Sequence, residues 1–299
     1  MAWRAVVISK PAKLRIQDDQ LIVKQEEEIS LPLEDLAALV LESPAITLST
    51  AVLARLATHD ILLLACDEKH LPCLAALPFA GHSRLPKMQR LQLDASLPFQ
   101  KRCWQAIIRQ KVSNQAECLR VLGLHGDELL RALLPRVTSG DAVNVESRAA
   151  RGYFRCLFGD DFLRGADDAC NAALNYGYAI LRGAVARALA AHGLLLAQGI
   201  HHRSELNPFN LADDFLEPLR PAVDLVVNTM MDGEEEFEAA HRMTLVALLG
   251  CDVRIEEKIQ SILRATEIMA ASFTAACREK DPRLLVLPTI LPVSLHRYE

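Results

Sequence analysis

No two cysteines of this chain form a C-x-x-C pair. The eight of them, Cys66, Cys73, Cys103, Cys118, Cys156, Cys170, Cys251 and Cys277, are scattered over 299 residues. Such spacing excludes a zinc-ribbon arrangement and falls short of a disulfide scaffold, so free thiols in a cytoplasmic protein are expected. A membrane span is missing too. The longest apolar stretch, Ala179 to Ala197, is broken by Arg182, Arg187 and His192, and membrane contact is therefore not expected. The start, MAWRAVVISKPAKLRI, has no basic region followed by an apolar stretch and a small-residue cleavage site, so it does not read as a secretory signal. No Pro/Gly tract argues for extensive disorder. Nor is there a surplus of positive charge: 33 Lys and Arg face 38 Asp and Glu, a formal net charge of −5. Contact with nucleic acid must then rest on local basic patches or on bound metal.

What is present is a core-forming composition, 51% hydrophobic and 24% charged, divided into two halves of different periodicity. Residues 3–9, 13–17, 20–24, 36–42 and 61–67 are short runs of β-branched and aliphatic residues, read as strands. Asp18-Asp19 supplies a hairpin turn. LAALVLE (36–42) and ILLLACD (61–67) are continuous apolar runs, as expected of strands covered on both faces. A short helix follows Ser49 or Thr50. From about residue 90 the spacing turns helical, with helices predicted over 98–122, 126–136, 146–158, 166–193, 222–231, 235–249 and 252–279. The fold class is α+β: a small β-rich N-terminal domain (1–76), a linker (77–90), a larger all-α catalytic domain (91–280) and a proline-containing tail (281–299).

Polar residues of the helical half concentrate in GIHHRSELNPFNLADDFLEPLRP, 199–221. Its His201, His202, Asp213, Asp214 and Glu217 offer an imidazole and carboxylates, a set suited to Mn²⁺, or to Mg²⁺ where carboxylates dominate. Asp214 and Glu217 stand three apart, so on a helix they share a face and can point at one ion. The same pair also fits a capping box, the commoner meaning of this spacing, with Asp214 as N-cap and Pro218 tolerated in the first turn. Neighbouring residues point in different directions, so only one of the two histidines is expected to face a site. Glu146 opens another predicted helix, where the macrodipole favours a carboxylate. It is read either as that favourable terminus or as an inward ligand. Arg148, Arg151 and Arg155 lie near one face of this helix, able to meet phosphates or simply solvated.

Three segments carry a resemblance. VESRAARGYFRCLFG (145–159), NAALNYGYAIL (171–181) and GIHHRSELNPFNLADDFLEPLRPAVD (199–224) resemble the signature blocks of CRISPR-associated protein one, the adaptation integrase, with N-P-F-N-L-A-D-D similar to its type II branch. The strand-rich start and DILLLACDEKHLP (60–72) fit the same family. The resemblance implies that Glu146, His202 and Glu217 are catalytic and bind Mg²⁺ or Mn²⁺, with Asp214 as an assisting acid. His202 is chosen because it closes a G-x-x-H pattern from Gly199. His201 stays as the alternative.

The implied activity is that of a metal-dependent DNA endonuclease and integrase. A 3′-hydroxyl of captured DNA attacks a phosphodiester of the CRISPR repeat, with His202 a neutral ligand. Phosphoryl transfer asks for positioning and charge neutralisation more than for a protein nucleophile. Arg148, Arg151, Arg203 and Arg220 should line the site if DNA is the substrate. The implied partners are protospacer and repeat DNA, a second copy of the chain docked through the β-rich domain, and a bridging dimer of the small CRISPR-associated protein two. The tail, Leu284 to Leu295, is the candidate for ordering on that partner. Two other readings keep the same residues: a helical metal-dependent phosphohydrolase with an enclosed pocket, and a non-catalytic DNA-capture scaffold.

Overall fold

The computed structural model describes residues 4–76, 84–234 and 236–295. Strands β1 (Arg4–Ile8), β2 (Lys13–Gln17), β3 (Gln20–Lys24), β4 (Glu28–Pro32), β5 (Leu36–Leu41) and β6 (Thr47–Leu48) lead into α1 (Thr50–Thr58), β7 (Leu62–Cys66) and β8 (Pro72–Ala76). Asp18 and Asp19 both adopt positive φ between β2 and β3, the geometry of a two-residue hairpin turn. Two sheets result, ordered β1-β5-β7-β8 and β4-β3-β2-β6. β5 is buried along its whole length. Leu36, Leu39 and Leu41 face the core shared with β2 and β3, while Ala37, Ala38 and Val40 join the core of the helices. This two-sided cover explains why the sequence there does not alternate.

The helical part comprises α2 (Leu85–Leu93), α3 (Leu97–Val121), α4 (Asp127–Leu133), α5 (Val145–Phe158), α6 (Ala169–Ala191), α7 (Asn210–Leu216), α8 (Arg220–Met230) and α9 (Ala239–Ala247). It continues through β9 (Cys251–Ile255), β10 (Lys258–Ser261), α10 (Ile262–Glu279) and β11 (Thr289–Leu295). α6 is the central element. It is almost wholly buried and lies so close to the first sheet that a Cβ on Gly183 would stand 2.9 Å from Leu64. A buried polar link joins the two parts: Glu42, just after β5, accepts from Tyr176 Oη of α6 at 2.9 Å and Arg242 Nε of α9 at 3.0 Å.

The architecture is α+β, β-rich first and mainly helical after, as expected. Several boundaries differ. The helix expected over 252–279 begins only at Ile262, because Cys251, Val253 and Ile255 alternate inward as a strand and Glu256-Glu257, both at positive φ, turn the chain back into β10. The second part is therefore not all-α. Residues 77–83 of the expected linker lie outside the described residues, and Leu85–Leu93 is helix rather than linker. The tail, expected to order on a partner, forms β11 against β9 of its own chain. Its Ile290 is buried, and Asn114 of α3 clasps the segment by donating to Pro288 O at 2.9 Å. Among the described residues no helix is long and apolar enough to cross a membrane.

Candidate active site

α5 starts with a double cap. Asn144 Oδ1 accepts from Ser147 N, and the Asp141 carboxylate accepts from Val145 N and Glu146 N, both at 2.9 Å. These bonds satisfy the free donors of the first turn and fix Glu146 there. Val145, Ala149, Tyr153 and Leu157 bury one face of the helix, which leaves Arg148, Arg151 and Arg155 exposed on the other. Arg155 is paired with Asp160 at 2.6 Å.

Glu217 belongs to a short 3₁₀ turn between α7 and α8 and is 4% exposed. It meets Glu146 through a third residue that the sequence reading missed. The Lys111 ammonium, from the middle of α3, lies 2.6 Å from Glu146 Oε1 and 2.5 Å from Glu217 Oε2. The other Glu217 oxygen accepts from Arg220 Nε at 2.8 Å, and that guanidinium also stacks over the Tyr178 ring. Burial alone would raise the Glu217 carboxyl, but Lys111 and Arg220 outweigh it and hold the group down at about 2. The same carboxylates keep the Lys111 amine above its ordinary value despite burial. A signal for Lys111 existed: it stands four residues after Ile107 and seven after Trp104, on the buried face of α3.

Asp214 overturns the capping-box reading. α7 begins at Asn210 after Phe209, so Asp214 is inside the helix and does not cap it. Its fully buried carboxylate instead accepts from the backbone N–H of Ile200 (2.5 Å), His201 (3.1 Å) and His202 (3.1 Å) and lies 2.8 Å from His202 Nδ1. A Cβ on Gly199 would stand 2.3 Å from His202 O and 2.9 Å from Asp214 Oδ2, so the loop closes only with glycine there. The hydrogen bond to Asp214 raises the His202 imidazole above its usual value against the effect of burial, and Glu217 adds to the rise through space.

The two histidines diverge as expected of neighbours. His201 stacks flat on Trp104, with ring centroids 4.1 Å apart, while His202 meets that indole edge-on at 5.8 Å. His202 opens onto a cleft of about 730 Å³ lined by Gln100, Gly199, Arg203, Ser204 and Asn207. The exposed Arg203 donates to Gln100 at 3.2 Å. Asp213 turns away to Arg182 at 2.9 Å. Among the described residues, no three His, Cys, Asp or Glu side chains converge tightly enough to hold a metal ion. Lys111 occupies the position between Glu146 and Glu217. Behind it, Asp224 accepts from Tyr153 Oη at 3.0 Å and from Tyr178 Oη. All eight cysteines are free, and burial pushes the Cys103 and Cys277 thiols up to about 12, which makes them poor nucleophiles.

Residues 5–241 match the family described as CRISPR associated protein Cas1. The CRISPR-associated endonuclease Cas1 of Neisseria meningitidis serogroup C (strain 8013) is 43% identical over 307 residues, covering 100% of both chains. This chain belongs to the Cas1 family. A CRISPR-associated endonuclease Cas1 of Pyrobaculum aerophilum is 27% identical over 78% of this chain and 83% of its own length. Among solved structures, a casposase bound to integration product shares the fold with a TM-score of 0.74 at 16% identity, covering 94% of this chain and 91% of that one. A CAS1 protein from Thermotoga maritima gives 0.73 at 14% identity over 92% and 97%. A chain of a Cas6-RT-Cas1–Cas2 complex gives 0.70 at 20% identity, covering 93% of this chain and 35% of that one. The family resemblance read from three sequence blocks is borne out.

Proposed function

We propose that this Cas1-family DNA endonuclease and integrase inserts new spacer DNA into a CRISPR array by attack of a 3′-hydroxyl on a repeat phosphodiester. The full-length similarity to the Neisseria meningitidis endonuclease supports the reaction. One observation supports the site: carboxylates from two separate elements share a single cation, the Lys111 ammonium. In this reading Glu146, His202 and Glu217 are catalytic and hold one Mg²⁺ or Mn²⁺ ion. Two carboxylates and an imidazole fit either ion as donors, and the approach of Glu146 and Glu217 to one ammonium supports a role for the pair in binding a cation. When bound, the ion supplies Lewis-acid charge at the scissile phosphate.

The chain's own residues orient this set. Asp214 engages Nδ1 of His202, which leaves Nε2 as the nitrogen that would be offered to an ion. Asp141 fixes the turn that carries Glu146. Arg220 neutralises Oε1 of Glu217 from within the site, while the exposed Arg148, Arg151 and Arg203 would contact DNA phosphates. No protein nucleophile takes part. The incoming 3′-hydroxyl gives up its proton as its oxygen forms a P–O bond, the repeat's own P–O3′ bond breaks, and the released oxygen takes up a proton. The chain acts in the cytoplasm as a homodimer docked through its β-rich part, bridged by CRISPR-associated protein two, and it belongs to the type II-like branch.

Strand transfer tests this reading. A labelled duplex with free 3′ ends is mixed with the protein, its small partner and a supercoiled plasmid bearing a CRISPR repeat, with Mg²⁺ or Mn²⁺ and then with EDTA. Metal-dependent joining by the wild type is expected, and none by Glu146→Ala, His202→Ala or Glu217→Ala. Joining that survives in all three variants removes these residues from the chemistry. Hydrolysis of small phosphoesters without any joining would favour a phosphohydrolase.

A further inference from the structure

Lys111 is an unusual residue for its place. It lies on the face of α3 that buries Trp104, Ile107 and Ile108, and is 8% exposed. A lysine so buried needs charged partners. Its two partners are the carboxylates assigned above to the metal, one at 2.6 Å and one at 2.5 Å. A single ammonium therefore takes up bonds that two of the ligands would give to an ion. Beside it opens a cavity of about 190 Å³, lined by Lys111 with Glu217, Asp224, Arg164, Arg220 and Tyr178. The flexible four-carbon stem has room to swing there.

The charges point the same way. Around Lys111 the carboxylates of Glu146, Glu217 and Asp224 are balanced by Lys111 itself with Arg220 and Arg164. A divalent ion added to that neutral set would leave two surplus positive charges in a largely desolvated place, which is strongly unfavourable. Departure of the ammonium removes its repulsion with the ion and frees the carboxylate oxygens for coordination.

We propose that Lys111 is a built-in counter-cation. It holds Glu146 and Glu217 together while no metal is bound, competes with the divalent ion for their oxygens, and leaves them when the ion enters. The proposal rests on the metal reading of the site. Lys111 is then a positioning residue that stabilises the metal-free fold and lowers metal affinity.

Amine labelling of the wild-type protein tests this directly. Reductive dimethylation near neutral pH, read by mass spectrometry, is run with EDTA and with saturating Mn²⁺, and Mn²⁺ binding is followed in parallel by calorimetry. Lys111 is expected to be protected in EDTA and to label about tenfold faster with Mn²⁺ bound, as release from two buried ion pairs implies. Lys111→Met is expected to bind Mn²⁺ about tenfold more tightly and to unfold at a lower temperature in EDTA. Lys111 that stays protected with Mn²⁺ demonstrably bound overturns the counter-cation role, even if the Met variant does not fold. Wild-type Mn²⁺ affinity in a folded Met variant overturns it as well. Failure of the wild type to bind Mn²⁺ at all overturns the metal reading, and this inference with it.

Discussion

Lys111 Nζ lies 2.5 Å from Glu217 Oε2, across the gap between the middle of α3 and the turn that joins α7 to α8. The pair is nearly dry, with side chains 10% and 5% exposed. It ties the fold to the site, because α3 carries the lysine and also, through Asn114, holds Pro218 O and the C-terminal segment. Substitutions here should therefore register in stability as well as in activity.

Glu217→Gln keeps the shape of the side chain and removes its charge. Lys111 and Arg220 are then left with one carboxylate fewer between them. Breaking such a buried arrangement from one side is expected to cost about 3–5 kcal/mol, whereas a simple cap would lose only about 1 kcal/mol. Urea denaturation in EDTA reads the difference. A loss near the smaller figure would mean that the ion pairs of Glu217 add little net stability to the fold.

Asp214→Asn should act through the histidine loop. Three backbone donors and the His202 ring converge on this carboxylate. Asparagine cannot accept all of them, so a stability loss of about 2 kcal/mol is expected. The His202 imidazole, raised chiefly by its bond to Asp214, should fall toward its ordinary value in an NMR titration of the metal-free protein. An unmoved His202 would mean that Asp214 does not orient it.

Asp224, behind Lys111 and outside the proposed ligand set, gives a pH test. Burial pushes its carboxyl up to about 6, against the hydrogen bonds from Tyr178 and Tyr153. A carboxyl raised on folding holds its proton more tightly in the folded state. Its stabilising contribution is thus full below the unfolded value of ~3.9 and is lost as pH rises through about 6. In Asp224→Asn that loss disappears. The variant should gain on the wild type between about pH 4 and pH 6, by up to ~3 kcal/mol if the tyrosine bonds re-form. Stability curves that stay parallel over that range would show that Asp224 does not titrate there.

How much of this was legible in the sequence depended on whether the signal was local. β5 and β7 announced themselves as apolar runs, and Asp18-Asp19 as a turn, because both depend on adjacent residues. The β9–β10 hairpin escaped because its turn is Glu256-Glu257. Glutamates rarely take positive φ, and the residues flanking them continue a helical pattern. Glu146, His202 and Glu217 stood out by residue type and by resemblance. Lys111 did not, although it follows Trp104 and Ile107 at helical spacing, since a lysine there reads as one that reaches solvent until a second and third element fold over it. Asp214 was misread for the same reason: three residues before Glu217 it mimics a cap, while its partners at 200–202 lie on a different segment.

The C-terminal segment makes a fourth test. β11 pairs with β9, Ile290 is buried, and its backbone N–H is accepted by Asn114 Oδ1 at 3.3 Å. Ending the chain at Pro288 should expose apolar surface on β9 and leave Asn114 short of a partner. A drop in thermal midpoint of several degrees is expected for a loss of about 2 kcal/mol. An unchanged midpoint would mean that the segment contributes nothing to the isolated chain.

The most direct measurement is the location of the ion itself. Crystals of the protein soaked in MnCl₂ would be measured at the manganese absorption edge. One anomalous peak bound by Glu146, His202 and Glu217, with the Lys111 ammonium withdrawn from both carboxylates, is the predicted result. A peak held by His201 or placed elsewhere, with Lys111 still seated between Glu146 and Glu217, would contradict the account.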